Sequence, residues 1–209
     1  AIAVLIYNRF SYKETSTKRP RYAYKKKIEQ IKSGIDKDGD GVDDQSDILE
    51  SALEYIQTKP KYESRYYIGG TPNDGYGVCT DVVAAALFGA GYDLQRLVSE
   101  DINEHPDNYD IQSPDENIDY RRVRNLQVYL KNNTKSLTTD LSEIEEWQGG
   151  DIVIFKKHIG IVSDRRDKNG IPYIIHHGSK YQRAYEQKYL KSKSDEIFGH
   201  YRWKLESKN

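Results

Sequence analysis

"WQGGDIVIFKKHIGIVSDRRDKNGIPYIIHHG", Trp147–Gly178, carries the sharpest change of pattern in the chain. "DIVIFKKHIGIVSD" is rich in β-branched residues, as strands are. "IPYII" follows after "RRDKNG", a connector of turn formers, so these runs read as adjacent antiparallel strands. "IFGHYRWKL" reads as one further strand. Upstream the spacing is helical instead. In Ser46–Gln57, Ile48, Leu49, Ala52, Leu53 and Ile56 recur on one face, with Ser46 or Asp47 available as N-cap. Thr80–Ala90 is an apolar helix stopped by "GAG", with Gly89 a mild penalty inside it. Ile118–Lys131 places Val123, Leu126 and Leu130 on one face. Helices first and an antiparallel sheet last define an α+β fold.

The 209 residues suffice for one medium domain with an extension, and 18 tyrosines can build a core although 31% of residues are charged. A net charge of −1 gives no reason to expect a nucleic-acid partner. The opening "AIAVLIY" is far short of the roughly 20 apolar residues of a membrane span. It reads as the tail of an anchor or signal segment, or as a short strand or arm. With no methionine in the chain, residue 1 reads as a trimmed or processed end. The expected organisation is a stalk or truncated anchor over 1–27, a metal loop and helix over 28–60, and the main domain over 61–209. A monomer is expected.

Asp36–Asp47, "DKDGDGVDDQSD", puts aspartate at positions 1, 3, 5, 9 and 12 of a twelve-residue loop and Gly41 at position 6. Hard cations such as Ca²⁺ take six to eight oxygens, and such a loop supplies them at alternating positions around a sharp glycine turn. Asp36, Asp38 and Asp40 would give side chains, Val42 its carbonyl, and Asp44 a side chain or a bridging water. Asp47 stands where a bidentate glutamate is usual, and its shorter reach weakens Ca²⁺ or favours Mg²⁺. The competing reading is an acidic, solvated linker. The spacing resembles the calcium repeats of thrombospondin and dockerin modules, which implies an extracellular setting. A structural Ca²⁺ is the expected cofactor, with none needed for catalysis.

Cys79 is the only cysteine, so it forms no disulfide within the chain. It stands where a helix begins, and a helix N-terminus favours a thiolate. A lone cysteine is also a common core residue. A cysteine nucleophile needs a base, and the base an orienter. His105 lies in a polar loop. His158 opens a strand, and His176 and His177 close the next, so two antiparallel strands can set one of them beside His158. His176 is favoured, with His177 the alternative. Zinc-ligand spacings and a phosphate-binding loop are both missing.

These residues bear a family resemblance. "YYIGGTPNDGYGVCTDVV" resembles the nucleophile segment of NlpC-type cell-wall cysteine peptidases. "WQGGDIVIF", "HIGIVSD" and "YIIHH" resemble their later catalytic stretches. With "DYRRVRNLQVY" and "GHYR", the likeness is nearest to the branch catalogued as domain of unknown function 1287, over about Tyr66 to Tyr201. It implies a papain-like fold, Cys79 as nucleophile, His158 as base and His176 as orienter, with Tyr66 near the oxyanion. It also implies hydrolysis of amide bonds in peptidoglycan stem peptides, at the bacterial envelope or outside the cell. Two departures stand out. "VCTD" replaces the family's "DCSG", so Asp81 either caps the helix or contacts substrate. A long insertion precedes the base, in which Arg121, Arg122 and Arg124 either receive substrate carboxylates or are ordinary surface charge. The rival functions are a cysteine acyltransferase and a non-catalytic wall-binding module.

Overall fold

The computed structural model describes residues 14–203. Its helices are α1 (Asp44–Gln57), α2 (Cys79–Gly89), α3 (Leu94–Glu104), α4 (Val123–Asn133) and the short α5 (Tyr189–Ser192). Strands β1 (Lys61–Tyr62) and β2 (Tyr76–Gly77) form a small parallel pair. The main sheet has β3 (Lys135–Ser136), β4 (Ile152–Phe155), β5 (His158–Arg166), β6 (Pro172–Ile175), β7 (Glu186–Gln187) and β8 (Ile197–Arg202). Its order is β3-β8-β4-β5-β6-β7, and every neighbouring pair is antiparallel. The class is α+β, with the helices before the principal strands.

Apolar side chains cover both faces of this sheet. Ile152 and Ile154 of β4, Ile159 and Ile161 of β5 and Ile175 of β6 enter the main core, with Ile48, Ala52, Val82, Val83 and Leu87 from α1 and α2. The alternate residues Val153, Phe155, Val162 and Ile174 join Trp147 and Leu190 in a second cluster. Two buried faces explain why "IVIF" is apolar throughout instead of alternating.

Two helix starts differ from the sequence reading and one helix was missed, each with a local polar cap or turn. The cap of α1 is Asp43, not Ser46 or Asp47: its carboxylate accepts from the Gln45 N–H at 3.1 Å and from the Ser33 and Gly34 N–H groups at 3.0 and 2.7 Å. Helix α4 starts at Val123 instead of Ile118, because Asp119–Arg121 forms a separate 3₁₀ turn. The Asp119 carboxylate takes the Asp115 N–H at 2.7 Å, and its carbonyl takes Asn125 Nδ2 at 3.0 Å. Helix α3, capped by Asp93, was not read from the sequence.

Of the residues read as a stalk, Thr15–Ala23 lie against the domain. Ser16 bridges to Ala184, the Thr15 hydroxyl donates to the Gln182 carbonyl, and Arg19 pairs with Glu186 and Asp164. The apolar run that opens the chain falls outside the described residues. Among the described residues no helix is long and apolar enough to cross a membrane.

Asp151, fully buried, joins the layers. Its carboxylate takes Arg202 Nε and Nη2, both at 2.8 Å, His200 Nε2 at 2.9 Å, Gln45 Nε2 at 3.0 Å and the Gln148 N–H at 2.9 Å. Removing one partner of a buried ion pair strands the other, at a cost of about 3–5 kcal/mol. Asp151→Asn is therefore expected to lower the melting temperature by about 10 °C, at about 2–4 °C per kcal/mol for a chain this size. Circular dichroism melts check this, and a change within error would show that the pairs contribute nothing.

Candidate active site

Cys79 is the first residue of α2. The preceding turn is closed by Asp81, whose Oδ2 accepts the Val78 N–H at 2.7 Å. Asp81 also binds Arg121 in two places, Nε to Oδ1 at 2.7 Å and Nη2 to Oδ2 at 2.9 Å, while Arg121 Nη1 donates to the Arg65 carbonyl at 2.6 Å. The Asp81 and Arg121 side chains are 3% and 1% exposed. Asp81 thus caps the helix start, and its bidentate bond to Arg121 makes the pair a strut under the cysteine. Arg122 and Arg124 remain exposed.

The sulfur of Cys79 is buried, with the N–H groups of Ile159, Thr80 and Cys79 itself directed at it. Ile159 follows His158, so α2 starts against the start of β5. The β5–β6 register pairs Ile161 with Ile175 and Val162 with Ile174. Continued, it sets His176 opposite Gly160, on the face that carries His158, and turns His177 away. A Cβ at Gly160 would lie 2.6 Å from Ile174 Cγ2 and 2.9 Å from the Ile175 carbonyl, so glycine lets β6 come close enough for the two rings to meet. His158 Nε2 lies 2.8 Å from His176 Nδ1, and His176 Nε2 lies 3.1 Å from Gln187 Oε1.

These contacts fix the tautomers by elimination. Gln187 Oε1 only accepts, so His176 Nε2 carries a proton. A neutral His176 then accepts at Nδ1, and His158 donates through Nε2–H. That leaves the lone pair of a neutral His158 on Nδ1, where it can take a proton. Burial first, and the charge of His177 second, push His158 down to about 4. Burial and then the neighbouring His158 push His176 down to about 3. Tyr189 sits 5.1 Å from the ring of His158 and 4.6 Å from that of His176, and it feels the Cys79 charge. Tyr62, which also feels Cys79, packs edge-on against His177 at 5.2 Å. Both tyrosines are thus near Cys79, Tyr189 on the His158–His176 side and Tyr62 on the His177 side.

The N-terminal helix position was expected to favour a thiolate. Instead burial outweighs the three N–H donors and pushes the Cys79 thiol up to about 11. At rest Cys79 is a thiol and His158 a neutral imidazole. Tyr66, expected near the oxyanion, is 57% exposed. Its hydroxyl donates to Asp115 Oδ2 at 3.1 Å and accepts from Asn117 Nδ2 at 3.2 Å. Gln187 and Tyr189 were not read from the sequence. The two-residue strand carrying Gln187 is too short for a period-2 signal, although parity from Tyr185, which pairs with His176, would have put it on the correct face.

Two cavities flank this region. One, of about 780 Å³, is polar and is lined by Arg121, Arg122, Arg124, Lys156 and Lys157 together with Asp115 and Asp119. Lys156 and Lys157 lead directly into His158. The other, of about 530 Å³, is bounded by Tyr55, Pro72, Phe88 and Leu94, and includes Asp81 but neither Cys79 nor the histidines. Neither cavity is lined by Cys79 or the histidines; the polar one adjoins them through Lys157, the residue before His158. The acidic loop lies away from Cys79, at the other end of α2, where a Cβ on Gly91 would come 3.1 Å from Asp38 Cβ.

The fold and site together define an α+β protein with a buried His158–His176 pair, a half-buried Gln187 bonded to it, and a buried Cys79 at a helix start that meets the same strand. The chain belongs to the DUF1287 family, a domain of unknown function, whose family model matches residues 49–203. It is similar to the uncharacterized protein YijF of Escherichia coli (strain K12), with 39% identity over 126 residues, 56% of this chain. It spans 61% of the length of that relative. No solved structure matches it.

All three clustered histidines are held neutral, His177 by burial that lowers it to about 4. Histidines of the unfolded chain titrate near 6.5, so that chain binds more protons between about pH 6.5 and 4. Stability is thus fully present above that window and is lost as pH falls through it. Urea midpoints at about pH 7 and about pH 4.5 should show a clear drop, reduced in His177→Phe, and equal midpoints would contradict the neutral cluster. Alkylation of Cys79 by iodoacetamide should be slow in mild acid and rise towards alkaline pH. Fast reaction in acid would indicate a thiolate–imidazolium pair instead.

Proposed function

We propose that the chain is a cysteine hydrolase that cleaves amide bonds in peptidoglycan stem peptides, on a papain-like fold of the NlpC type. The observation that carries this reading is the ordered line Gln187–His176–His158, which leaves Nδ1 of His158 as a free base, on the strand start whose next N–H, that of Ile159, is directed at the helix-start cysteine. The motif resemblance around Cys79 and His158 supports the substrate class. So does the polar cavity rimmed by Arg122, Arg124, Lys156 and Lys157, since stem peptides carry carboxylates that guanidinium and ammonium groups bind. An envelope or extracellular location is part of the same reading.

In this mechanism His158 Nδ1 removes the Cys79 thiol proton as the sulfur attacks the amide carbonyl. The N–H groups of Cys79 and Thr80 at the start of α2 stabilise the negative charge that develops on sulfur and on the carbonyl oxygen. The His158 imidazolium passes its proton to the departing amine nitrogen, the C–N bond breaks, and an acyl thioester remains on Cys79. Water, deprotonated by His158, then attacks the thioester and releases the carboxylic acid and the thiol. His176 holds the His158 ring in one tautomer throughout, and Gln187 does the same for His176. Since no carboxylate stabilises the imidazolium, the barrier depends on the donors around the sulfur.

Purified peptidoglycan incubated with the protein should release soluble muropeptides that Cys79→Ala does not, read by mass spectrometry. His158→Ala should be equally inactive, and Gln187→Ala should lose about 10–100-fold in kcat with little change in KM. With His158 near 4, kcat/KM should hold down to about pH 5 before its acid limb. Identical digests from wild type and Cys79→Ala would overturn the hydrolase reading. Acylated lipid products would point to the acyltransferase.

A further inference from the structure

The acidic loop ahead of the family-matched residues takes no part in this chemistry. Asp36, Asp38 and Asp40 bring one carboxylate oxygen each within 4.8 Å of one another, all exposed. Exposed acidic groups alone would say little. The telling residue is Asp47, which is only 7% exposed and whose Oδ2 is buried without any hydrogen-bond partner. A buried carboxylate oxygen left bare costs free energy that a bound cation would recover. Asp47 closes the loop from the first turn of α1, and among its charged neighbours Asp40 and Asp38 act on it more strongly than Asp44 and Glu50 do.

Asp44 is placed differently. It is 1% exposed, its Oδ1 accepts the Lys37 N–H at 2.7 Å, and its Oδ2 accepts the Tyr92 hydroxyl. Both oxygens are turned inward, holding the loop to the turn after α2, whereas the N–H groups that exposed Asp36 accepts, from Gly39, Asp40 and Gly41, belong to the loop itself. Gly41 supplies the turn that brings the ligands round, at φ +94°.

We propose that this loop is a Ca²⁺ site ligated by the carboxylates of Asp36, Asp38, Asp40 and Asp47 and the carbonyl of Val42, with Asp44 as a strut outside the coordination shell. Five protein oxygens with water completing six to eight suit Ca²⁺, whose flexible shell tolerates the short Asp47 better than the strict octahedron of Mg²⁺ does. The ion would clamp residues 36–42 to α1 and, through the contact of Asp38 with Gly91, to the C-terminal end of the helix that begins at Cys79. The site is therefore structural and independent of the proposed hydrolysis.

The test is isothermal titration of metal-stripped, full-length protein with CaCl₂, paired with thermal melts. The expected result is one ion per chain with Kd between about 10⁻⁶ and 10⁻³ M, and a melting temperature that rises by several degrees at saturation. Asp38→Asn and Asp47→Asn should each weaken binding by about 10-fold or more. Asp44→Asn should lower the melting temperature of the metal-free protein yet keep the affinity within about 3-fold, as a strut would. Absence of both heat and melting shift with the wild type would overturn the site. Wild-type affinity in Asp47→Asn, or loss of binding in Asp44→Asn, would overturn the ligand assignment. Binding of MgCl₂ in preference to CaCl₂ would overturn the choice of ion.

Discussion

The arrangement rests on a single buried carboxylate. Asp151 collects an arginine, a histidine, a glutamine amide and a backbone N–H at the point where α1, β4 and β8 meet. A buried charge is tolerated only when its lone pairs are filled by donors held in place, and here they come from three parts of the chain. The ring of His200 stacks on Trp147 at 3.9 Å, so the joint is packed as well as bonded. Strand β4 begins one residue later and turns through Lys156 and Lys157 into His158. The ring of His158 is thus aimed by a hairpin whose base is locked by charge.

The histidine cluster is balanced in the opposite way. It carries no full negative charge, and burial keeps its rings neutral. Direction is supplied by the one-way capacity of an amide oxygen, passed along two imidazoles to a free lone pair. At Cys79 two effects compete: three N–H donors favour the thiolate, and desolvation disfavours it. Desolvation wins at rest. A proton transfer made only as the sulfur reacts would place the charge where the donors already point.

Asp81 shows how a residue's type can be legible and its role hidden. Its position two residues after Cys79 is consistent with a helix cap, and it does reach back to Val78. Its second and stronger bond is to Arg121, 40 residues away, which no local pattern encodes. The same bond buries Arg121 and leaves Arg122, its neighbour in sequence, on the surface. The choice between His176 and His177 was open in the sequence because strand parity needs a register. Ile161 opposite Ile175 supplies that register, and Gly160 permits the close approach.

By itself the sequence determined the helix-then-sheet order, the apolar strands, the cysteine at a helix start and the spacing of the aspartate loop. These are local properties, written in periods of 3.6 or 2 residues and in turn formers. Only the tertiary structure decided that Gln187 orients His176, that Asp81 and Arg121 support the cysteine, and that Asp47 is bare while Asp44 is spent on Tyr92. Each is a meeting of side chains distant in sequence or a question of burial. Their outcome depends on which face a strand turns inward and which hydrogen bonds are already taken, and neither is set before the chain has packed.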